Sequence, residues 1–144
     1  MSSIREVLQR KGSDVMTIGS DASVLVAIGT MSDANIGALV IQDGDQPVGI
    51  FTERDYLRKI ALEGRSSGST AVSEVMSSPL ITVAVTDSVR AAMETMTASR
   101  CRHLIVTENE KMVGIVSLGD LVKHLLQEKE AEVEKLSSYI SGSY

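Results

Sequence analysis

The feature that most constrains how this chain can fold is a duplication. The stretch Val48-Gly49-Ile50-Phe51-Thr52-Glu53-Arg54-Asp55-Tyr56-Leu57 returns 65 positions later as Val113-Gly114-Ile115-Val116-Ser117-Leu118-Gly119-Asp120-Leu121-Val122. In both copies an apolar run ends in a hydroxyl residue, Thr52 or Ser117. A carboxylate, Asp55 or Asp120, follows three positions on. This pattern reads as a strand running directly into a helix, with the polar pair at the junction.

The repeat extends well beyond that stretch. Aligned without a gap from Thr17 and Thr82, the copies share Ser23/Ser88, Val24/Val89, Ala27/Ala92, Thr30/Thr95, Met31/Met96, Leu39/Leu104, Gly49/Gly114 and Ile50/Ile115. A register kept through two turns marks an internal duplication. Each copy reads strand, helix, strand, strand, helix. Ser23 and Ser88 offer N-caps to helices whose apolar positions are Val24, Ala27, Ile28, Met31 and Val89, Ala92, Met93, Met96. Strands are expected at 38–41 and 48–51, and again at 103–107 and 112–116. Asp43-Gly44-Asp45 and Glu108-Asn109-Glu110 supply the turns. Ahead of the first copy, Ser2 or Ser3 can cap a short helix with Ile4, Val7 and Leu8 on one face, closed by Gly12.

A three-stranded piece with helices on one face leaves its other face bare, so one copy alone is not expected to be stable. The expected fold class is therefore α+β: two β-α-β-β-α repeats packed through their sheets with pseudo-twofold symmetry, leaving clefts between the copies near the junctions. With no Trp and a single Phe, the core must be aliphatic. The polar run Gly64-Arg65-Ser66-Ser67-Gly68-Ser69 is the obvious connector. The expected division is a first domain at 7–65, a linker at 66–73, a second domain at 74–130 and a helical tail at 131–144.

At this point the residues resemble a known family. Thr-x-Ile/Val, a capped helix, two strands, then Gly-hydrophobic-hydrophobic-Thr/Ser-x-x-Asp is similar to the CBS domain, named for cystathionine beta-synthase. The tandem pair resembles a Bateman module. Asn35-Ile36-Gly37-Ala38-Leu39, Thr52-Glu53-Arg54-Asp55-Tyr56, Arg102-His103-Leu104 and Val116-Ser117-Leu118-Gly119-Asp120-Leu121 are similar to phrases of small stand-alone CBS-pair signal-transduction proteins.

The resemblance implies binding of AMP, ADP, ATP or NAD, with S-adenosylmethionine a further candidate, in the clefts between the repeats. The residues suit that chemistry. Asp55 and Asp120, when ionised, can accept both hydroxyl protons of a ribose. Thr52 and Ser117 stand at helix starts, where hydroxyls and backbone N–H groups can meet a phosphate. Arg54 is the nearby basic side chain in the first copy; Arg100, Arg102 and His103 are the candidates in the second. Backbone groups around Thr17, Ile18, Ile36, Gly37, Ala38, Thr82, Val83, Arg102 and His103 are candidates to read the adenine edge.

Other readings of the same residues stay open. Thr/Ser-x-x-Asp is also a helix capping box that needs no ligand. Arg54 can be a solvated side chain and His103 a hydrogen-bonded structural histidine. Cys101, paired with Ile36 in the repeat, reads as a small buried hydrophobe. Copy two has Leu118-Gly119 where copy one has Glu53-Arg54, so unequal sites are expected.

The net charge of −5 argues against broad binding to nucleic acid or an anionic membrane, and one cysteine excludes an internal disulfide. No apolar run reaches the roughly 18–20 residues of a membrane span, and the expected location is the cytoplasm. No His/Cys/Asp cluster has metal-ligand spacing, and neither a nucleophile elbow nor a Walker A loop is present, so no enzyme is expected. Along Leu121 to Ile140, Val122, Leu126, Val133, Leu136 and Ile140 form a stripe on a charged helix. It is a candidate seam for a homodimer. The function expected is a cytoplasmic regulatory module that binds an adenine nucleotide and relays its state to a partner protein; the alternative is a nucleotide-independent dimeric adaptor.

Overall fold

The computed structural model describes residues 2–141, with side chains through residue 138. The elements are α1 (Ile4–Lys11), β1 (Thr17–Gly19), α2 (Val24–Ala34), β2 (Ala38–Asp43), β3 (Gln46–Thr52), α3 (Glu53–Tyr56), β4 (Thr82–Ala84), α4 (Val89–Ser99), β5 (His103–Glu108), β6 (Lys111–Ser117) and α5 (Leu118–Ser141). A π turn, Leu57–Ala61, continues α3, and a 3-10 turn covers Val72–Glu74. The Ile140 side chain and residues 142–144 of the expected tail lie outside the described residues.

The duplication reaches into the backbone geometry. Strands β1, β2 and β3 form one three-stranded sheet in that order, and β4, β5 and β6 form another. Within the first, β1 runs parallel to β2 and β2 antiparallel to β3. Both hairpins carry an irregularity at the same repeat position, between Ile41 and Gln42 and between Val106 and Thr107. Ser23 Oγ accepts from Val26 N at 3.2 Å and Ser88 Oγ from Ala91 N at 3.0 Å, capping α2 and α4. Both helices close on a left-handed residue, Asn35 at φ 55° and Arg100 at φ 54°. Asparagine tolerates that conformation better than arginine, so the second copy adopts it with the less suited residue.

The described residues separate into two compact units, 14–82 and 2–13 together with 83–141. In the first, Val24, Ala27 and Met31 from α2 pack with Leu39 and Ile41 of β2, Phe51 of β3, and Ile60, Val72 and Val75. The strand Ala38–Ile41 is buried at every residue, the burial of a strand covered on both faces. In the second unit Ile4, Val7, Val89, Ala92, Leu104, Val116 and Leu121 are buried.

This division departs from the expected one at both boundaries, because the segment preceding each repeat is bonded into the other repeat's unit. Ile4 N donates to Asp87 O at 2.9 Å, Arg5 N to Val85 O at 3.0 Å and Val89 N to Ser2 O at 3.0 Å, which ties α1 to the start of α4. The expected linker is likewise no free connector. Leu25 N donates to Ser67 O at 3.0 Å, Val24 N to Thr70 O at 2.9 Å and Val72 N to Ala22 O at 2.8 Å. Ser77 then exchanges two backbone bonds with Ile50 of β3, at 2.8 and 3.0 Å. Polar composition marked this stretch as a linker; what holds it is its backbone, which meets otherwise orphaned N–H groups at the start of α2.

Candidate functional site

Both strand-to-helix junctions fold as hydrogen-bonded capping pairs. Antiparallel pairing sets Ala38 opposite Thr52 and His103 opposite Ser117, so the first residue of β2 or β5 lies beside each junction. At the first junction Thr52 Oγ1 accepts from Asp55 N at 3.1 Å, and Asp55 Oδ2 accepts from Thr52 N at 3.1 Å. The Thr52 hydroxyl also donates to Oδ2 at 3.2 Å, while Oδ1 accepts from Ser77 Oγ at 2.9 Å and faces Lys59 Nζ at 3.1 Å. Asp55 is only 6 % exposed, so both its oxygens are engaged in a buried setting.

The second junction has the same pair in a more open setting. Ser117 N donates to Asp120 Oδ2 at 2.8 Å and Asp120 N donates to Ser117 Oγ at 3.1 Å. Lys11 Nζ, at the end of α1, donates to the same Oδ2 at 2.6 Å and to Ile115 O at 2.8 Å. The Asp120 side chain is a quarter exposed. Burial pushes its carboxyl up, but the Lys11 ammonium and the Ser117 donors outweigh burial and hold it below the ordinary carboxylate value. Asp120 is therefore ionised at neutral pH.

A cleft of about 740 Å³ in the second unit is lined by Arg102, His103, Ser117, Val122, Lys123 and Glu130 among others. Its counterpart in the first unit, about 620 Å³, is lined by Ile36, Gly37, Glu53, Arg54, Tyr56 and Leu57 among others. Both volumes suit a small organic ligand. Their charge differs. In the first cleft the Glu53 carboxylate presses on Gly37, with Oε1 only 2.8 Å from where a Cβ would stand, and sets a negative group beside Arg54. In the second, Leu118 replaces that carboxylate and Arg102 replaces the glycine, so basic groups dominate beside Ser117.

The expected site residues are thus divided. Arg102, His103 and Ser117 come together in one cleft, and Ile36, Gly37 and Arg54 in the other. Thr52 with Asp55, and Ser117 with Asp120, form the junctions themselves. Thr17 and Ile18 pair with Val40 and Ile41 as edge-strand residues. Ala38 and Val83 are buried, which leaves their backbone as the part able to meet a ligand, and Thr82 is exposed on β4. Arg100 is the exposed C-cap of α4, its N–H bonded to Met96 O and Thr97 O. Cys101 is half-buried rather than fully buried; burial raises its thiol pKa, and a backbone bond from His103 offsets only part of that rise.

Sequence reading missed Lys59, Ser77 and Lys11. Lys59 was within reach as the i+4 neighbour of Asp55 on one helical face. Lys11 was not, because 109 positions separate it from Asp120. A third cluster was missed for the same reason. Glu6 of α1 meets His124 and Glu128 of α5, with candidate ligand atoms all within 4.8 Å of one another. No local spacing announces it: one partner comes from the opposite end of the chain, and the two on α5 show as His-x-x-x-Glu spacing only.

Two three-stranded sheets, each running through a hydroxyl-carboxylate capping pair into a helix, define a duplicated α+β class of protein. The CBS domain model matches residues 4–62 and 72–127. The chain belongs to the CBS domain family. It is 40 % identical over 152 aligned residues to the mitochondrial CBS domain-containing protein CBSX3 of Arabidopsis thaliana, covering 99 % of this chain and 74 % of that protein. A candidate signal-transduction protein with CBS domains from Burkholderia ambifaria MC40-6 superposes with TM-score 0.85 at 39 % identity, over 88 % of this chain and 95 % of that one. The CBS-domain containing protein ATU1752 from Agrobacterium tumefaciens gives TM-score 0.81 at 40 % identity, over 85 % and 92 %. The hexameric CBS-CP12 protein from bloom-forming cyanobacteria gives 0.76 at 25 %, over 85 % and 70 %. Among the described residues no helix is long and apolar enough to cross a membrane.

Proposed function

We propose that this chain is a regulatory module, rather than an enzyme, that binds an adenosine-containing ligand and relays its presence to a partner protein. The observation that carries the proposal is the second junction. There a carboxylate held ionised, Asp120, is hydrogen-bonded to Ser117, which with the basic side chains Arg102 and Lys123 lines a cleft of ligand size. Ribose hydroxyls are the natural donors to Asp120, and a phosphate the natural guest of Ser117, Arg102 and His103. AMP, ADP, ATP and NAD carry both groups; S-adenosylmethionine carries only the ribose. The first junction is the weaker candidate, because Asp55 is buried with both oxygens engaged and Glu53 stands against a phosphate at its cleft.

The relay follows from competition. A ligand hydroxyl that bonds Asp120 competes with Lys11, so ligand binding re-seats the end of α1. Such a shift needs different affinity for the two positions of that helix end. A homodimer is proposed to form through α5, where Val122, Leu126, Val133 and Leu136 are 41–61 % exposed on a charged helix. A thermal-shift survey with AMP, ADP, ATP, NAD and S-adenosylmethionine tests the ligand class. A saturable rise in Tm with one or more of them supports the reading, since a ligand that binds only the folded state stabilises it. A flat response to all five contradicts it.

A further inference from the structure

None of Glu6, His124 and Glu128 is among the residues assigned to nucleotide, and nothing in that assignment uses them. His124 is 3 % exposed, and neither ring nitrogen has a hydrogen-bond partner. A buried imidazole always has at least one donor or acceptor to satisfy, and leaving such an atom unpaired is costly. Its Nε2 nevertheless points at two carboxylates, 3.9 Å from Glu6 Oε2 and 3.7 Å from Glu128 Oε1. These separations are too long for hydrogen bonds. They approach the spacing of atoms that share a metal ion: bonds of about 2.0–2.2 Å in a tetrahedral site put neighbouring ligand atoms roughly 3.4 Å apart.

We propose that Glu6, His124 and Glu128 form a binding site for a divalent transition-metal ion of the zinc type. His124 and Glu128 share one face of α5 at i and i+4, and Glu6 meets them from α1. The Glu6 side chain is half exposed and that of Glu128 38 % exposed, so both can close on an ion without disturbing the core. The hydroxyl of buried Ser2 donates to Glu128 Oε1, which orients that carboxylate as partners of metal ligands commonly do. One imidazole with two carboxylates suits zinc and its neighbours better than magnesium or calcium, which favour all-oxygen sites. The bound ion would link the first helix to the last within one unit and give His124 Nε2 a partner.

The test is titration of metal-stripped full chain with Zn²⁺ by calorimetry, with Mg²⁺ as the control and circular dichroism to check folding. Glu6→Gln and Glu128→Gln keep side-chain size at accessible positions, and His103→Asn controls for the other histidine. The expected result is one Zn²⁺ per chain, a higher Tm with Zn²⁺ but not with Mg²⁺, and affinity at least about tenfold weaker in each glutamine variant. Cobalt substitution should give a tetrahedral d–d absorption that the Glu6→Gln, Glu128→Gln double variant lacks. Binding undiminished in that double variant, or lost only in His103→Asn, places the ion elsewhere and overturns the proposal. An absence of saturable Zn²⁺ binding also overturns it.

Discussion

Replacing Gly49 with alanine should destabilise the first unit, and the reason lies in a segment that the sequence reading placed in the second domain. A Cβ at Gly49 would stand 2.4 Å from Met76 Sδ, 2.8 Å from Met76 Cγ and 3.1 Å from the Ser77 carbonyl oxygen. The methionine can swing aside, since its thioether chain is flexible. The carbonyl cannot, because Ser77 is held to Ile50 by backbone bonds of 2.8 and 3.0 Å. Overpacking of this kind costs about 1–3 kcal/mol, and the lower unfolded-state entropy of alanine returns about 0.4–1 kcal/mol. A net loss of about 1–2 kcal/mol follows, or roughly 3–6 °C in Tm for a chain of this size. Urea denaturation should show a lower midpoint with an unchanged slope. Gly49→Ala combined with Met76→Ala should lose less than the sum of the single losses, because removing the thioether relieves the same clash. An unchanged or raised midpoint in Gly49→Ala, with additive behaviour in the double variant, would refute the packing of the 76–77 segment on β3.

The two junction carboxylates should separate in their effect on stability. Asp55→Ala removes the acceptor of three hydrogen bonds and the partner of Lys59, at an expected cost of about 2–4 kcal/mol by urea denaturation, while Asp120→Ala at its more open site should cost less. Asp120 should also leave a mark on the acid limb of stability. Its folded pKa is depressed, so its contribution is fully present above the unfolded value of about 3.9 and disappears as pH falls through the folded value; Asp120→Asn should flatten the urea midpoint against pH in that window. Leu126→Glu places a charge on the exposed stripe of α5 and should shift sedimentation toward the monomer with little change in folding.

How much of this was legible in the sequence depends on whether the relevant contacts were local. The 65-residue shift placed α2 and α4, both hairpins and both junctions correctly, because capping serines, turn residues and apolar spacing act over a few positions. The capping pair was readable as Thr/Ser-x-x-Asp for the same reason. What escaped was everything made by segments distant in sequence. Polar composition at 64–69 says nothing of backbone bonds from the following residues to the start of α2. No spacing rule connects Lys11 to Asp120 or Glu6 to His124. The relative openness of the two carboxylates was equally hidden. It depends on Ser77 and Lys59 closing around Asp55, while Asp120 meets one lysine from the far end of the chain.

The central claim is a nucleotide site at the second junction, and the most direct measurement is calorimetric titration of nucleotide-stripped protein with AMP, ATP, NAD and S-adenosylmethionine. The same titrations are made on Asp120→Asn and Asp55→Asn, each checked for folding by circular dichroism. The account expects saturable binding of at least one ligand, weakened about tenfold or more in folded Asp120→Asn and much less in Asp55→Asn, since a hydrogen bond to a charged group is worth about 1.5–3 kcal/mol. Heat from none of the four ligands, or equal affinity in wild type and Asp120→Asn, would contradict it and leave the junctions as helix caps alone.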